Sequence, residues 1–372
     1  MLTLVMSLKT DRPPQGCDTA SIRHRCASKH QADPHPRPLG GPAITSAMAS
    51  PSDLLYRIRE DVESADLRIR PYVWETPLAR APSLSQAWGA EVYLKLENTQ
   101  VTGSFKARGA MNRLLATPVS QRALGVLAAS TGNHGAAVAY AARQLNVPCT
   151  VFVPGDASEV KLAAIRSWGA AIEVHGEDCV DAEKAARTEA DKRGLLYLSP
   201  YNDPQVVAGQ GTVGAELSRQ IDRIDALFIA IGGGGLAAGT AGYLKAVGRE
   251  VTVVGCSPSA SPVMHESVKA GLLLNLPSAP TLSDGTSGGV EKDAITFPLC
   301  RALIDRWALV EEEEIAAAMR SSIDGEHQLI EGSAGVALAS AQKLASDFPG
   351  GVIVVLLCGG NVGVETLRRV LC

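Results

Sequence analysis

From Ser52 onward the chain alternates short aliphatic runs with longer helical stretches, and this alternation restricts the fold more than any other feature. Strand candidates are "GVLAAS", "CTVFVP", "AIEVHG", "LLYLS", "ALFIAIGG", "VTVVGC" and "GVIVVLLC". They are nearly continuous in Val, Ile and Leu rather than alternating apolar with polar, which is the pattern of strands buried on both faces. Between them lie helix candidates, including "HGAAVAYAARQL", "SEVKLAAIRSWG", "CVDAEKAARTEADKRG", "DPQVVAGQGTVGAELSRQ", "GLAAGTAGYLKAVG" and "SPVMHESVKAG". Asp203-Pro204 reads as an N-cap followed by a first-turn proline, and Gly169, Gly194 and Gly271 fall at helix ends. The pattern predicts an α/β fold of open, mostly parallel sheets with helices on both faces. Ligands of such folds bind beyond the carboxyl ends of the strands, so the strand-to-helix turns are where function is to be sought.

A length of 372 residues suggests about two domains. With 46% hydrophobic and 20% charged residues, the composition is that of an ordinary globular protein. The formal net charge of −4 gives no ground for nucleic-acid binding or a polybasic membrane anchor. Runs such as "GVIVVLLC" are too short to span a bilayer. Eight cysteines stand without a C-x-x-C pair, which argues against a zinc site or a disulfide framework and for a reducing, cytoplasmic setting. Residues 1–47 are rich in Pro, Arg and His and lack a hydrophobic period. They read as a disordered tail or a mis-assigned start, with Met48 as a translation start and Asp11, Asp18 and Asp33 weighing against a transit peptide.

Four places invite chemistry. In "TGSFKARGA", Lys106 follows apolar Phe105 and stands two residues after Ser104, a residue type suited to capping a helix. A lysine in a first helical turn opposes the helix dipole by about 0.3–1 kcal/mol. Burial beside Phe105 would add to that and favour the neutral amine that forms a Schiff base; a surface lysine at a helix start is the plainer alternative. In "AASTGNHGAA", Ser130, Thr131, Asn133 and His134 surround Gly132 at a helix start, an anion site suited to a carboxylate or simply a set of capping residues. In "IAIGGGGLAAG", Gly232, Gly233, Gly234 and Gly235 follow a strand and open a helix. Ala237 and Ala238 remove the third glycine of a dinucleotide fingerprint and no Gly-Lys-Ser/Thr follows, so a monophosphate fits best. In "VVLLCGGNVG", Cys358 ends a strand without a basic neighbour in sequence, which marks no thiolate.

An amine-bearing lysine, a carboxylate turn and a monophosphate turn together describe pyridoxal 5'-phosphate acting on an amino acid. The chain resembles the fold-type II pyridoxal-phosphate enzymes of the threonine/serine dehydratase (threonine ammonia-lyase) and serine racemase group. The likeness runs from about Leu54 to Leu371 through "KLENTQVTGSFKARGA", "STGNHG", "AGQGT", "GGGGLAAG", "SDG", "IEGSAG" and "CGGN". It implies a tryptophan-synthase-β-like fold with a large cofactor-binding domain (48–102 plus 196–372) and a small one (103–195). It further implies Lys106 as the lysine bound to the cofactor, Phe105 beside the cofactor, Asn133 on the ring hydroxyl, and Gly232 to Gly235 with Leu236 at the phosphate. Cys358 takes the position facing the pyridine nitrogen, where a neutral thiol suits elimination more than transamination. Ser130, Thr131, Gly132 and His134 would bind the substrate carboxylate, with the Thr131 hydroxyl expected to cap the helix that follows. Gly332 stands where the group commonly has proline, a loosening beside Glu331. Ser257 stands where metal-activated members have glutamate, so no metal site is expected. The "SPVMHESVKAG" and "PTLSDGTSGGVE" wording is similar to dehydratases of hydroxyectoine-utilisation gene clusters. The resemblance implies a homo-oligomer and an ammonia-lyase acting on a 3-hydroxy-α-amino acid, with an amino-acid racemase or a phosphometabolite-binding protein as alternatives.

Overall fold

The structure, a computed structural model, describes residues 51–155, 157 and 159–372; the reading of residues 1–47 lies outside them. Among the described residues ten strands form two sheets: β1 (Leu78–Arg80), β2 (Glu91–Lys95), β3 (Val126–Ala129), β4 (Cys149–Val153), β5 (Ala171–Val174), β6 (Leu196–Tyr197), β7 (Ala226–Ala230), β8 (Thr252–Pro258), β9 (Arg306–Val310) and β10 (Val352–Leu356). Six strands run in the order β1-β2-β10-β7-β8-β9 and four in the order β5-β4-β3-β6. Every neighbouring pair is parallel except β1 with β2. Both sheets belong to one unit, Ala49–Cys372.

The continuous apolar strands behave as their composition requires. Every residue of β7 and of β10 is buried, because helices cover both faces of the sheet centre. In contrast β5 is an edge strand; none of its residues is fully buried, and Glu173 points to solvent. Strands β1, β2 and β9 had no counterpart among the sequence candidates.

Strand order locates the site. In the larger sheet the chain steps outward from β7 through β8 to β9, then returns to lay β10 on the other side of β7. In the smaller sheet it steps from β3 through β4 to β5, then returns with β6 on the other side of β3. Each reversal opens a crevice beyond the carboxyl ends of the strands that flank it. Beyond β7 and β10 lie Gly232 and Cys358, and beyond β3 and β6 lie Ser130–His134 and Pro200. No described helix is long and apolar enough to cross a membrane.

Candidate active site

Lys106 is the first residue of the helix Lys106–Ala116. Ser104 does not cap that helix. It is buried in a β-bridge with Gly359, and the Phe105 N–H donates to the Cys358 carbonyl at 3.1 Å, so the end of β10 holds the helix start. Tertiary pairing has displaced a local capping preference. The half-buried lysine donates from Nζ to the Pro200 carbonyl at 3.0 Å and stands 5.2 Å from the Phe105 ring centroid. Burial pushes its amine down to about 8, against the pull of nearby Cys358 and Glu331.

Pro200 leads to Tyr201, whose ring lies against the glycine turn. A Cβ on Gly233 would come within 2.3 Å of that ring, and one on Gly232 within 2.9 Å of the Thr286 backbone. Gly234 has φ +84° and would meet the Cys300 sulfur at 2.6 Å. Thr296 Oγ1 donates to the Gly233 carbonyl at 2.6 Å, so that oxygen is already engaged. Among the described residues, no N–H of Gly232, Gly233 or Gly234 donates to a backbone carbonyl. Free amides at the start of the helix Gly235–Ala246 make a cradle for an anion, and glycine is required on every side of it.

Across the cleft, the helix Asn133–Gln144 begins at Gly132 without a side-chain cap. Ser130 Oγ accepts the Gly132 N–H at 3.1 Å, and Thr131 is not the cap it was expected to be. Asn133 Nδ2 donates to both carboxylate oxygens of Glu331, at 2.8 and 3.0 Å, and Asn133 Oδ1 accepts from Asn361 Nδ2 at 2.7 Å. His134 is buried with Nε2 2.8 Å from the Leu198 carbonyl, and burial pushes its ring down to about 3. The carbonyl can only accept, so Nε2 carries the proton and Nδ1 is left as an acceptor. A substrate carboxylate would therefore meet the backbone N–H of His134 rather than its ring.

The sequence model of the family described as "Pyridoxal-phosphate dependent enzyme" matches residues 69–359. The chain belongs to this family. It is 38% identical over 310 residues to the L-threonine ammonia-lyase of Geobacter sulfurreducens, covering 83% of this chain and 77% of that relative. Its fold matches the processed form of threonine deaminase isoform 2 from Solanum lycopersicum with a TM-score of 0.82 at 32% identity, over 86% of this chain and 93% of that one. The structure of maize serine racemase matches with a TM-score of 0.79 at 30% identity, over 84% and 96%. Pyridoxal phosphate is thus the cofactor, and the glycine cradle and the lowered Lys106 amine fit its phosphate and its aldehyde.

In this pyridoxal-phosphate enzyme Cys358 is buried, and burial, with Glu331 nearby, pushes its thiol well above the ordinary value of 9. It is a neutral thiol, as its sequence context suggested. Ser257 is buried on β8 and donates to the Ile231 carbonyl at 3.3 Å. Among the described residues no group of three or more His, Cys, Asp and Glu is placed to hold a metal ion. Gly332 corrects another expectation, since a Cβ there would lie 2.0 Å from the Leu282 carbonyl oxygen. That residue is a close approach of two backbones, not a loosening. The sequence reading passed over Glu331, Asn361 and Tyr201 as individual site residues. "IEGSAG" and "CGGN" carried the signal for the first two, a carboxylate and a carboxamide beside glycines at chain turns.

Proposed function

We propose that this enzyme is an ammonia-lyase that converts a 3-hydroxy-α-amino acid of the threonine or serine type to a 2-oxo acid and ammonia. The observation that carries it is the pairing of a base, Lys106, with a neutral thiol, Cys358, at the end of β10. When bound, pyridoxal phosphate supplies the electron sink that makes the α-proton acidic. The amine of Lys106 removes that proton. First-turn N–H groups of Asn133 and His134, with Ser130, orient the carboxylate. Gly232 to Gly235, with Leu236, would hold the phosphate, while Asn133 would meet the ring oxygen and Cys358 the ring nitrogen. A thiol does not keep a ring nitrogen protonated as a carboxylate would, which favours loss of the β-hydroxyl over transamination. The threonine ammonia-lyase and threonine deaminase relatives support the same reading.

Racemisation is a second reading, favoured by one observation. Thr131 is not committed to capping, so its hydroxyl is free to serve as an acid opposite Lys106. The deciding experiment incubates purified enzyme with a panel of 3-hydroxy amino acids, scoring keto-acid release and the chirality of leftover substrate. Keto acid as the main product supports the lyase; inversion faster than deamination would overturn it. We further read residues 48–102 with 196–372 as a large domain and 103–195 as a small one; β3, β4 and β5 of the smaller sheet fall within the latter, whereas β6, which pairs with β3, lies just beyond that boundary. The wording of "SPVMHESVKAG" supports the hydroxyectoine-utilisation subgroup, the lack of a C-x-x-C pair in the sequence supports a cytoplasmic setting, and the family resemblance supports a homo-oligomer.

A further inference from the structure

Four segments remote in sequence meet through side-chain amides beside the proposed ring-oxygen contact. The Thr102 carbonyl accepts from Asn361 Nδ2 at 2.8 Å. A carbonyl oxygen only accepts, so this contact fixes which way the Asn361 carboxamide faces. The same Nδ2 donates to Asn133 Oδ1 at 2.7 Å, which fixes the Asn133 carboxamide in turn. Asn133 Nδ2 must then face Glu331. The two oxygens of one carboxylate subtend a much smaller angle at that nitrogen than the angle between its two N–H bonds, so one proton serves both oxygens and the other is unused.

Packing enforces each link. A Cβ on Gly103 would lie 2.5 Å from Asn361 Oδ1, and a Cβ on Gly359 would lie 2.6 Å from Glu331 Oε1. Glu331 is further held by its N–H to the Gly359 carbonyl at 3.0 Å and by the Asn361 N–H to Oε2 at 3.2 Å. We infer that Asn361 and Glu331 are positioning residues that lock the Asn133 carboxamide with its second N–H aimed for the cofactor's ring oxygen. The inference rests on the reading of Asn133 given above. Neither residue touches the reacting atoms; both act through Asn133.

The test uses the full chain loaded with pyridoxal phosphate and two readouts besides turnover: cofactor affinity by equilibrium dialysis, and the pH midpoint of the bound cofactor's visible absorbance. Asn361→Asp sets a carboxylate against the Thr102 carbonyl and draws Nδ2 of Asn133 toward itself. It should weaken cofactor binding about tenfold or more and shift the pH midpoint. Glu331→Leu should do the same, whereas Glu331→Gln, which keeps an acceptor for Asn133, should stay within about threefold of the parent. Circular dichroism separates these effects from misfolding; should Asn361→Asp fail to fold, the Leu and Gln variants at Glu331 decide alone. If the Asp and Leu variants match the parent in both readouts while Asn133→Ala alters them, the relay is refuted and the reading of Asn133 survives. Should Asn133→Ala change neither readout, that reading fails and takes the relay with it.

Discussion

Burial pushes the Glu331 carboxyl up to about 7, against the hydrogen bond from Asn133, with Asp284 raising it further and Asn361 and Lys161 opposing. Between the ordinary 4.5 and about 7, the folded chain keeps a proton that the unfolded chain has lost, so this group's contribution to stability falls as pH rises. His134 has the opposite sign: its folded value of about 3 lies below the ordinary 6.5, so its contribution falls as pH drops through that window. Comparing Glu331→Gln with the parent isolates the first effect. The difference in urea midpoint should grow in the variant's favour from pH 4.5 to 7; a pH-independent difference would contradict the buried carboxyl. For Lys106, replacement by alanine should abolish visible absorbance, borohydride labelling and turnover while leaving the fold intact. Full activity in that variant would end the lyase assignment. Cys358→Ser should preserve elimination because both side chains are neutral hydrogen-bonding groups of similar size. Cys358→Asp should protonate the ring nitrogen and shift the absorbance; an unchanged spectrum would place Cys358 away from the ring.

At the level of elements, the site depends on places where backbones touch. The helix Gly332–Leu344 starts against the Leu282–Ser283 segment so closely that Gly332 admits no side chain. Gly332→Ala should therefore cost about 1–3 kcal/mol, read as a lowered thermal midpoint, because the neighbouring atoms are backbone and cannot rotate away. A neutral result would mean that the Leu282–Ser283 segment yields freely. Its sequence context gave no such warning, since a glycine at a helix start reads as permissive until the opposing loop segment is known. The glycine turn after β7 was different. Four consecutive glycines are so costly in backbone entropy that a close approach was legible from the sequence itself.

Taken as a whole, the molecule ties the end of β2 to the helices Lys106–Ala116 and Pro204–Gln220 through charge buried next to the site. Lys95, Glu97, Arg108 and Glu216 are all fully buried, two of each sign. Arg108, two residues beyond Lys106, donates to Glu97 at 2.7 and 2.8 Å and to Glu216 at 2.7 and 2.9 Å. Burial alone would raise Glu216, but Arg108 and Lys95 outweigh it and bring it down to about 2. Removing one partner strands the others, so Arg108→Met should destabilise the fold by about 3–5 kcal/mol in chemical denaturation. A loss below about 1 kcal/mol would show that the remaining charges find water or one another.

Local chemistry wrote much of this protein into its sequence. Apolar runs fixed the strands at the sheet centres, Asp203 caps its helix through Gln205 and Val206 as the Asp-Pro pair foretold, and Lys106 opens its helix where "GSFKARG" placed it. Those features depend on neighbours a few residues away. Only the tertiary structure decided that β10 lies between β2 and β7, that Ser104 joins Gly359 instead of capping, and that Thr131 leaves its helix uncapped. The meeting of Thr102 and Asn133 with Glu331 and Asn361 was likewise invisible, because pairing across 198 to 259 residues leaves no local signature in the chain. A carboxylate beside glycine looks the same in sequence whether it faces solvent or a carboxamide; burial and partner, which set its chemistry, exist only once the chain has folded.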